Sequence, residues 1–141
     1  MIEQLTVLLE NEDGRLSDLA RDLSEDGIDM HALFIADTAD FGVARIFCDT
    51  PRRAASMLAR KGYRAHVVDV LAVRMADEPG SLAALLRRLG ECGRGIEYGY
   101  CFPHRDGAVG VLKVGDASIE RILAQEGFSV VEAEEVYLLD E

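Results

Sequence analysis

The sequence contains little of what marks several large functional classes. It has 3 cysteines, 3 prolines and no tryptophan among 141 residues, and Lys61 and Lys113 are its only lysines. The formal net charge of -11 produces a field that repels phosphate backbones and anionic lipids. We therefore expect neither nucleic acid nor a membrane as a partner.

The cysteines form no recognisable framework. Cys48, Cys92 and Cys101 are odd in number, and their spacing suits neither a secreted disulfide scaffold nor a CxxC metal site. Reduced, partly buried thiols are the simplest interpretation. The amino terminus lacks the basic start of a signal peptide, and no apolar run approaches the ~18 residues that span a bilayer. We expect a cytoplasmic protein.

Two stretches of the sequence have the same form. ENEDGRLSDLA (residues 10–20) and ADEPGSLAALL (residues 76–86) lie 66 positions apart, and each places acidic residues and a glycine directly before a leucine-striped helix. One domain is the usual expectation for a chain of this length, but the repeat predicts two units of roughly 65 to 70 residues. Such a unit buries only roughly 60% of its unfolded surface, so we expect the two to pair.

The first repeat predicts the order βαββαβ. Its opening stretch, IEQLTVLLE, is typical of a strand buried on both faces. The helix that follows should end near Glu25 or Asp26, before the left-handed stop of Gly27. Its apolar stripe is Leu16, Leu19, Ala20 and Leu23.

The rest of the first repeat follows from shorter runs. IDMHALFIA and VARIFC are predicted strands joined by the turn TADFG, which can border a ligand. Thr50 is the predicted N-cap of the second helix, with Pro51 at its first position and Gly62 at its end. YRAHVVD closes the repeat as a strand.

The second repeat has the same order. Its predicted strands are VLAVRM, IEYGYCF, AVGVLKV and FSVVEAEEVYLL. Its helices are striped by Leu82, Leu85, Leu86 and Leu89, and by Ile119, Ile122 and Leu123. We align Tyr98, Tyr100 and Phe102 with Met30, Ala32 and Phe34 of the first repeat, and interpret these aromatics as core or interface residues.

A βαββαβ order with right-handed crossovers gives a four-stranded antiparallel sheet with both helices on one face. The predicted fold class is therefore α+β, with two ferredoxin-like sandwiches at residues 1–69 and 70–141. We expect them to pack as a tandem pair with a shared antiparallel sheet, because this hides one edge of each. The remaining bare sheet face of each copy favours a homodimer.

The segment DEPGSLAALLRRLGECGRGIEY, within this βαββαβ order, resembles the ACT domain, a small amino-acid-sensing module of metabolic enzymes. NEDGRLSDLARDLSEDGIDM is a more divergent copy, with Asp13 where the second repeat has Pro79. The resemblance covers essentially the whole chain, which looks like the small tandem ACT proteins of bacteria. It implies an allosteric regulatory role.

A helix start can seat a carboxylate, because its first amides lack helical acceptors and the helix dipole is positive there. Gly14 and Gly80 allow a ligand close to that backbone, with the amides of Arg15 and Ser81 behind them. The ACT resemblance implies a ligand between copies, touched by the first loop of one and the second strand of the other. One implied site is Asn11, Asp13, Gly14 and Leu16 with Ile96, Glu97 and Tyr98; its mate is Asp77, Pro79, Gly80 and Leu82 with Ile28, Asp29 and Met30.

Two alternatives stay open for these residues. Asp13 and Asp77 can be plain helix caps, with Gly80 serving only a tight turn. Asp29 and Glu97 either grip the ligand's ammonium or repel its carboxylate, since some ACT domains have a neutral asparagine there.

No catalytic or metal constellation is evident. No nucleophile or paired carboxylate has an identifiable orienting partner, and Cys101, His104, His31 and His66 do not suggest converging zinc ligands. We therefore predict a protein that is not an enzyme, has no metal or cofactor, and binds a free amino acid or similar small effector. The alternative is a protein-interaction or oligomerisation module whose loops are only structural.

Overall fold

The computed structural model describes residues 1–37 and 40–141, so Thr38 and Ala39 of the predicted turn TADFG lie outside the described residues. The helices are α1 (Arg15–Glu25), α2 (Pro51–Arg60), α3 (Ser81–Glu91) and α4 (Ser118–Gln125). The strands are β1 (Ile2–Glu10), β2 (Met30–Asp37), β3 (Phe41–Cys48), β4 (Arg64–Met75), β5 (Ile96–His104), β6 (Gly107–Val114) and β7 (Ser129–Val130). None of the helices in the described ranges is long and apolar enough to cross a membrane.

The strands are hydrogen-bonded in the order β2-β3-β1-β4-β6-β5, with β7 on β4, which confirms the shared antiparallel sheet. The predicted boundary between the strands YRAHVVD and VLAVRM is wrong. They form the single strand β4, because no glycine, proline or turn residue interrupts this β-rich run. The expected four-helix, two-repeat α+β fold is confirmed.

The chain forms two compact units, and each includes the terminal segment next to the other unit's repeat in the sequence. The first unit contains Glu3–Val68 and Ala133–Glu141, and the second contains Met1–Ile2 and Asp69–Glu132. In the second unit the amino terminus of Met1 pairs with the carboxylate of Glu120. The units therefore differ at both termini from the division at residue 69 that the repeat suggests.

The core of the first unit lies between β1, β3 and the two helices. Leu19 and Leu23 of the predicted stripe are fully buried, whereas Leu16 is 41% exposed. Burial of each such leucine contributes about 1.5–3 kcal/mol. The other core members are Leu5, Val7, Leu9, Ile28, Ala44, Ile46, Cys48, Ala54, Met57, Leu58 and Tyr63.

The second unit has an equivalent core. Leu85 and Leu89 are fully buried, but Leu82 and Leu86 are 38% and 37% exposed, so only half of the predicted leucine stripe faces the sheet. The remaining core members are Leu71, Val73, Leu112, Val114, Ile119 and Leu123. In both units the leucine nearest the start of the first helix, Leu16 or Leu82, is left at the surface.

The prediction that FSVVEAEEVYLL is a strand is wrong beyond Val130. A 3-10 helix follows at Ala133–Glu135, and the tail then packs in the first unit. There the Tyr137 ring stacks on Phe47 at 6.1 Å between centroids, and its hydroxyl accepts a hydrogen bond from the Glu3 amide at 2.8 Å. Burial of the Tyr137 side chain is more favourable than further strand pairing of this segment with β4. The Tyr137 ring also covers part of the sheet face that was expected to be bare.

The predicted N-cap position of α2, Thr50, is confirmed, and Pro51 begins the helix as expected. Thr50 has a left-handed backbone (φ 43°, ψ 62°), however, and its side chain makes no capping hydrogen bond. Asp140 of the tail takes over this role, because its carboxylate accepts hydrogen bonds from the amides of Arg52 and Arg53 at 3.0 and 2.9 Å. A distant residue therefore supplies the acceptors that Thr50 does not.

The predicted alignment of the second strands is wrong by two residues. Met30 pairs with Cys48 in the first unit, and Ile96 pairs with Val114 in the second, so Met30 is equivalent to Ile96 and not to Tyr98. A slip of two leaves every side chain on the same face, so hydrophobic alternation cannot detect it. Both strands also carry an irregularity at their start, between Met30 and Ala32 and between Ile96 and Tyr98.

Candidate functional site

The two loops that precede α1 and α3 have the same backbone. Gly14 has φ 85° and ψ -3°, and Gly80 has φ 95° and ψ -18°. A Cβ at either position would meet no atom within 4 Å, so the glycines are required by their left-handed φ and not by crowding. Each loop therefore leaves open space above its glycine.

Both helices begin without a side-chain cap among the described residues. The N-cap position of each helix is a glycine, Gly14 or Gly80, and the interpretation of Asp13 and Asp77 as plain caps stays a prediction. The Arg15 amide reaches the Glu12 carbonyl only at 3.4 Å, and the Ser81 amide reaches the Glu78 carbonyl at the same distance. At both helix starts the N-cap is a left-handed glycine without a capping side chain. The positive end of each helix dipole is therefore directed toward solvent.

In the first unit a pocket of about 210 Å³ lies beside the first loop. The Arg15 guanidinium lies 4.8 Å from the centre of the Tyr63 ring, and its buried Nε has no hydrogen-bond partner among the described residues. The Tyr63 hydroxyl donates to Asp22 at 2.7 Å. Burial and this carboxylate raise the pKa of Tyr63 to about 12, and the same hydrogen bond lowers the pKa of Asp22.

The pocket carries charges of both signs. Its lining residues are Leu8, Leu9, Glu10, Arg15, Asp40, Phe41, Gly62, Tyr63 and Arg64. Two guanidinium groups and two carboxylates around such a volume can accommodate a small zwitterion. Arg15 and the turn containing Asp40 were expected from the sequence. Glu10, Tyr63 and Arg64 were not, because only strand topology brings the end of β1 and the start of β4 to one end of the sheet.

The second unit has a pocket at the equivalent place, with a different lining. It measures about 520 Å³ and is lined by the end of β4 and the β5–β6 hairpin, without a residue from the start of α3. Buried Nε2 of His104 lacks a hydrogen-bond partner among the described residues. The lining residues are Arg74, Met75, Ala76, His104, Arg105, Asp106 and Gly107.

The predicted second-strand residues lie at the opposite end of each unit from its own first loop. In the first unit Glu10 pairs with Phe41, whereas Met30 pairs with Cys48, seven residues further along β3. Within a unit, the structure therefore does not bring Asp29 and Met30 to Asn11, Asp13, Gly14 and Leu16. In the second unit it likewise separates Glu97 and Tyr98 from Asp77, Pro79, Gly80 and Leu82, because β5 and β6 repeat this register.

Each second strand begins at a corner pocket. In the first unit it measures about 360 Å³ and is lined by Ala20, Ser24, Gly27, Ile28, Asp29 and Met30. In the second unit it measures about 400 Å³ and is lined by Gly93, Arg94, Gly95, Ile96, Glu97, Gly115 and Asp116. Arg94 and Asp116 form an ion pair at 2.8 Å, and the amide of Ser118 lowers the pKa of Asp116 by donating to its carboxylate.

Two βαββαβ repeats with equivalent glycine-started helices define a tandem ferredoxin-like protein. Over residues 1–138 the chain matches the family described as the ACT domain pair, and it belongs to this family. The resemblance drawn from DEPGSLAALLRRLGECGRGIEY is thereby confirmed.

Solved structures share this fold. The crystal structure of protein BT0572 from Bacteroides thetaiotaomicron is 30% identical, with a TM-score of 0.87 over 94% of this chain and 93% of that one. The ligand-free regulatory subunit of aspartate kinase from Thermus thermophilus is 14% identical, with a TM-score of 0.64 over 89% and 92%. The corresponding subunit from Thermus flavus is 15% identical, with a TM-score of 0.59 over 87% and 90%. No curated protein sequence matches the chain.

Proposed function

We propose that this protein is a non-catalytic regulator that binds a free amino acid at the loops preceding α1 and α3. The ligand's carboxylate sits at a helix start, and acidic side chains accept hydrogen bonds from its ammonium. Binding favours one of two states of the protein, through which the signal reaches a partner. The three free thiols, Cys48, Cys92 and Cys101, support the cytoplasm as its compartment.

The observation that carries this proposal is the shared backbone of Gly14 and Gly80 at two helix starts without side-chain caps. A structural loop needs no such repetition, because an ordinary capping side chain would satisfy the same amides. The family resemblance implies that a ligand touches the first loop of one ACT copy and the second strand of another. Copies from one chain or from two chains can meet this requirement.

The first loop is the stronger candidate of the two. Its pocket offers the Arg15 guanidinium, with a buried Nε that lacks a partner among the described residues, and the carboxylates of Glu10 and Asp40. The second loop has Ser81 where the first has Arg15. We therefore propose that the two loops bind with different affinity.

The experiment is thermal unfolding against the twenty amino acids, each at several millimolar. A ligand at 100 times its dissociation constant stabilises the native state by about 2.7 kcal/mol, which shifts the midpoint by several degrees. Arg15→Gln should abolish most of the shift. Arg60→Gln is the matched control, because Arg60 is an exposed arginine on α2 of the same unit.

Gly14→Val and Gly80→Val separate the two loops. Each forces a branched side chain into a left-handed backbone, so each variant's own midpoint must be measured without ligand. The loop that binds is the one whose valine removes the ligand shift. If no amino acid moves the midpoint of the unsubstituted protein, binding of this ligand class is refuted.

Self-association is a second proposed property, and the edge strand β2 favours it. Leu33 and Ile35 lie on one face of this strand and are 46% and 41% exposed. An apolar edge strand is a template for pairing with another chain, so we propose that it contributes to a homodimer. Analytical ultracentrifugation of Ile35→Lys should give the monomer mass, whereas a dimer of unchanged stability would exclude this edge.

A further inference from the structure

A cluster of three metal-ligating side chains lies in the first unit, at the start of β2 and the end of β3. We propose that Asp29, His31 and Asp49 bind a divalent transition-metal ion such as Mn²⁺. This site is separate from the proposed amino-acid pocket beside Arg15, and it does not depend on that function. Asp29, which the sequence suggested as an ammonium acceptor, becomes a metal ligand in this proposal.

The spacing of the donor atoms fits one ion. One atom each from Asp29, His31 and Asp49 lies within 4.8 Å of the other two. His31 Nε2 is 2.8 Å from Asp49 Oδ1. This contact is a hydrogen bond, and two ligand atoms at a right angle around an ion with bonds of roughly 2.0–2.2 Å lie roughly 2.8–3.1 Å apart, so both atoms can bind one ion with little rearrangement.

The backbone holds the three residues together before any ion binds. The amide of Asp49 donates to the carbonyl of Asp29 at 3.0 Å, which joins the start of β2 to the end of β3. The irregularity between Met30 and Ala32 places His31 at a break in the ladder. Such irregularities re-aim a side chain at functional sites.

The tail adds a second layer of support. The Leu138 amide donates to Asp49 Oδ1 at 2.8 Å, and the same oxygen lies 2.8 Å from His31 Nε2. Asp49 is therefore held as an oriented carboxylate, with its side chain only 18% exposed. Ligands oriented in this way bind metals more tightly.

The donor set selects the class of ion. One imidazole and two carboxylates suit first-row transition metals, whereas Mg²⁺ and Ca²⁺ prefer oxygen ligands alone. Cys48, the nearest cysteine in sequence, is fully buried in the apolar core of the first unit. The cluster is thus an oxygen and nitrogen site without thiolate.

The second unit lacks an equivalent set. The strand registers make Gly95, Glu97 and Gly115 equivalent to Asp29, His31 and Asp49. Two glycines replace the two carboxylates, and the same place is an open corner pocket. We expect one ion per chain.

The test is a titration of the full chain with Mn²⁺. Electron paramagnetic resonance measures binding as the loss of the signal of free Mn²⁺. The unsubstituted protein should bind one Mn²⁺ per chain. His31→Gln should weaken binding at least tenfold, and so should Asp29→Asn, which preserves the shape of the side chain. His66→Gln is the matched control, because His66 is an exposed histidine on β4 of the same unit.

Cobalt provides a second readout. Bound Co²⁺ should show weak visible bands without thiolate charge transfer, and the ion should slow proteolysis of the tail, because Asp49 holds Leu138. Equal weakening by His66→Gln, unchanged binding in His31→Gln, or several weak sites that vanish with added salt would each overturn the proposal. The last result would mean general attraction to a chain of net charge -11.

Discussion

In each unit an ion pair joins the first helix to the end of the second helix, but the positive and negative residues are exchanged between the units. In the first unit Asp22 of α1 pairs with Lys61 at the end of α2, with 3.5 Å between Oδ1 and Nζ. In the second unit the equivalent pair is Arg88 of α3 with Glu126 at the end of α4. The position of the link is shared while its signs are exchanged, so the repeat preserved geometry and not side-chain chemistry.

The surroundings of this link differ in the same way. The first unit adds a buried hydrogen bond from Tyr63 to Asp22, whereas the second has Phe128 at the position of Tyr63. The first unit also combines Arg15 with Tyr63, and Asp29 with His31, while the second has Ser81 and Gly95 at the equivalents of Arg15 and Asp29. Specialised polar chemistry is therefore concentrated in the first unit.

The largest expected effect compares the two cores. Leu23→Ala and Leu89→Ala remove fully buried leucines at equivalent positions, and each should lower the free energy of unfolding by about 2–5 kcal/mol. Because β4 runs through both units, we expect a single transition in urea for the unsubstituted protein and both variants. A separate early transition in one variant would show that the units unfold independently.

A smaller effect compares the second helices. Asp140→Ala removes the carboxylate that accepts two amides at the start of α2, and it should cost about 1 kcal/mol. The start of α4 uses the local residue Asp116 instead, so deletion of the tail should leave that helix intact. Amide exchange should accelerate at Arg52 and Arg53 in Asp140→Ala. Unchanged exchange there would contradict a capping role for the tail.

The smallest effect is expected from Tyr63→Phe, which gives the first unit the residue type that the second unit has at Phe128. Tyr63→Phe should cost about 1 kcal/mol at neutral pH, because Asp22 loses its hydrogen bond in a buried site. The folded pKa of Asp22 is below its unfolded value of about 3.9, so its contribution is present above that pH and is lost as pH falls through the folded pKa. The free energies of unfolding of the unsubstituted protein and Tyr63→Phe should converge as the pH falls from 7 to 2. A difference that does not change with pH would exclude Asp22 as the cause.

Local patterns in the sequence were enough for most of the fold. Apolar periodicity predicted the helices, and Gly27 and Gly62 predicted the ends of α1 and α2, because periodicity and left-handed glycines act over a few residues. The same reasoning was wrong by two residues for β2 against β5, since a strand's faces repeat every two residues. It also could not see that Tyr63 and Arg64 meet Arg15, because the start of β4 and the start of α1 are far apart along the chain.

The sequence by itself determined the repeat, the element order, the family and the two glycine loops, since each of these is encoded in neighbouring residues. Only the tertiary structure decided that Asp140 would cap α2 from 88 positions away and that Tyr137 would cover Phe47. It likewise decided that Asp29, His31 and Asp49 would meet. These contacts depend on where strands and a tail return in space, which no local pattern specifies.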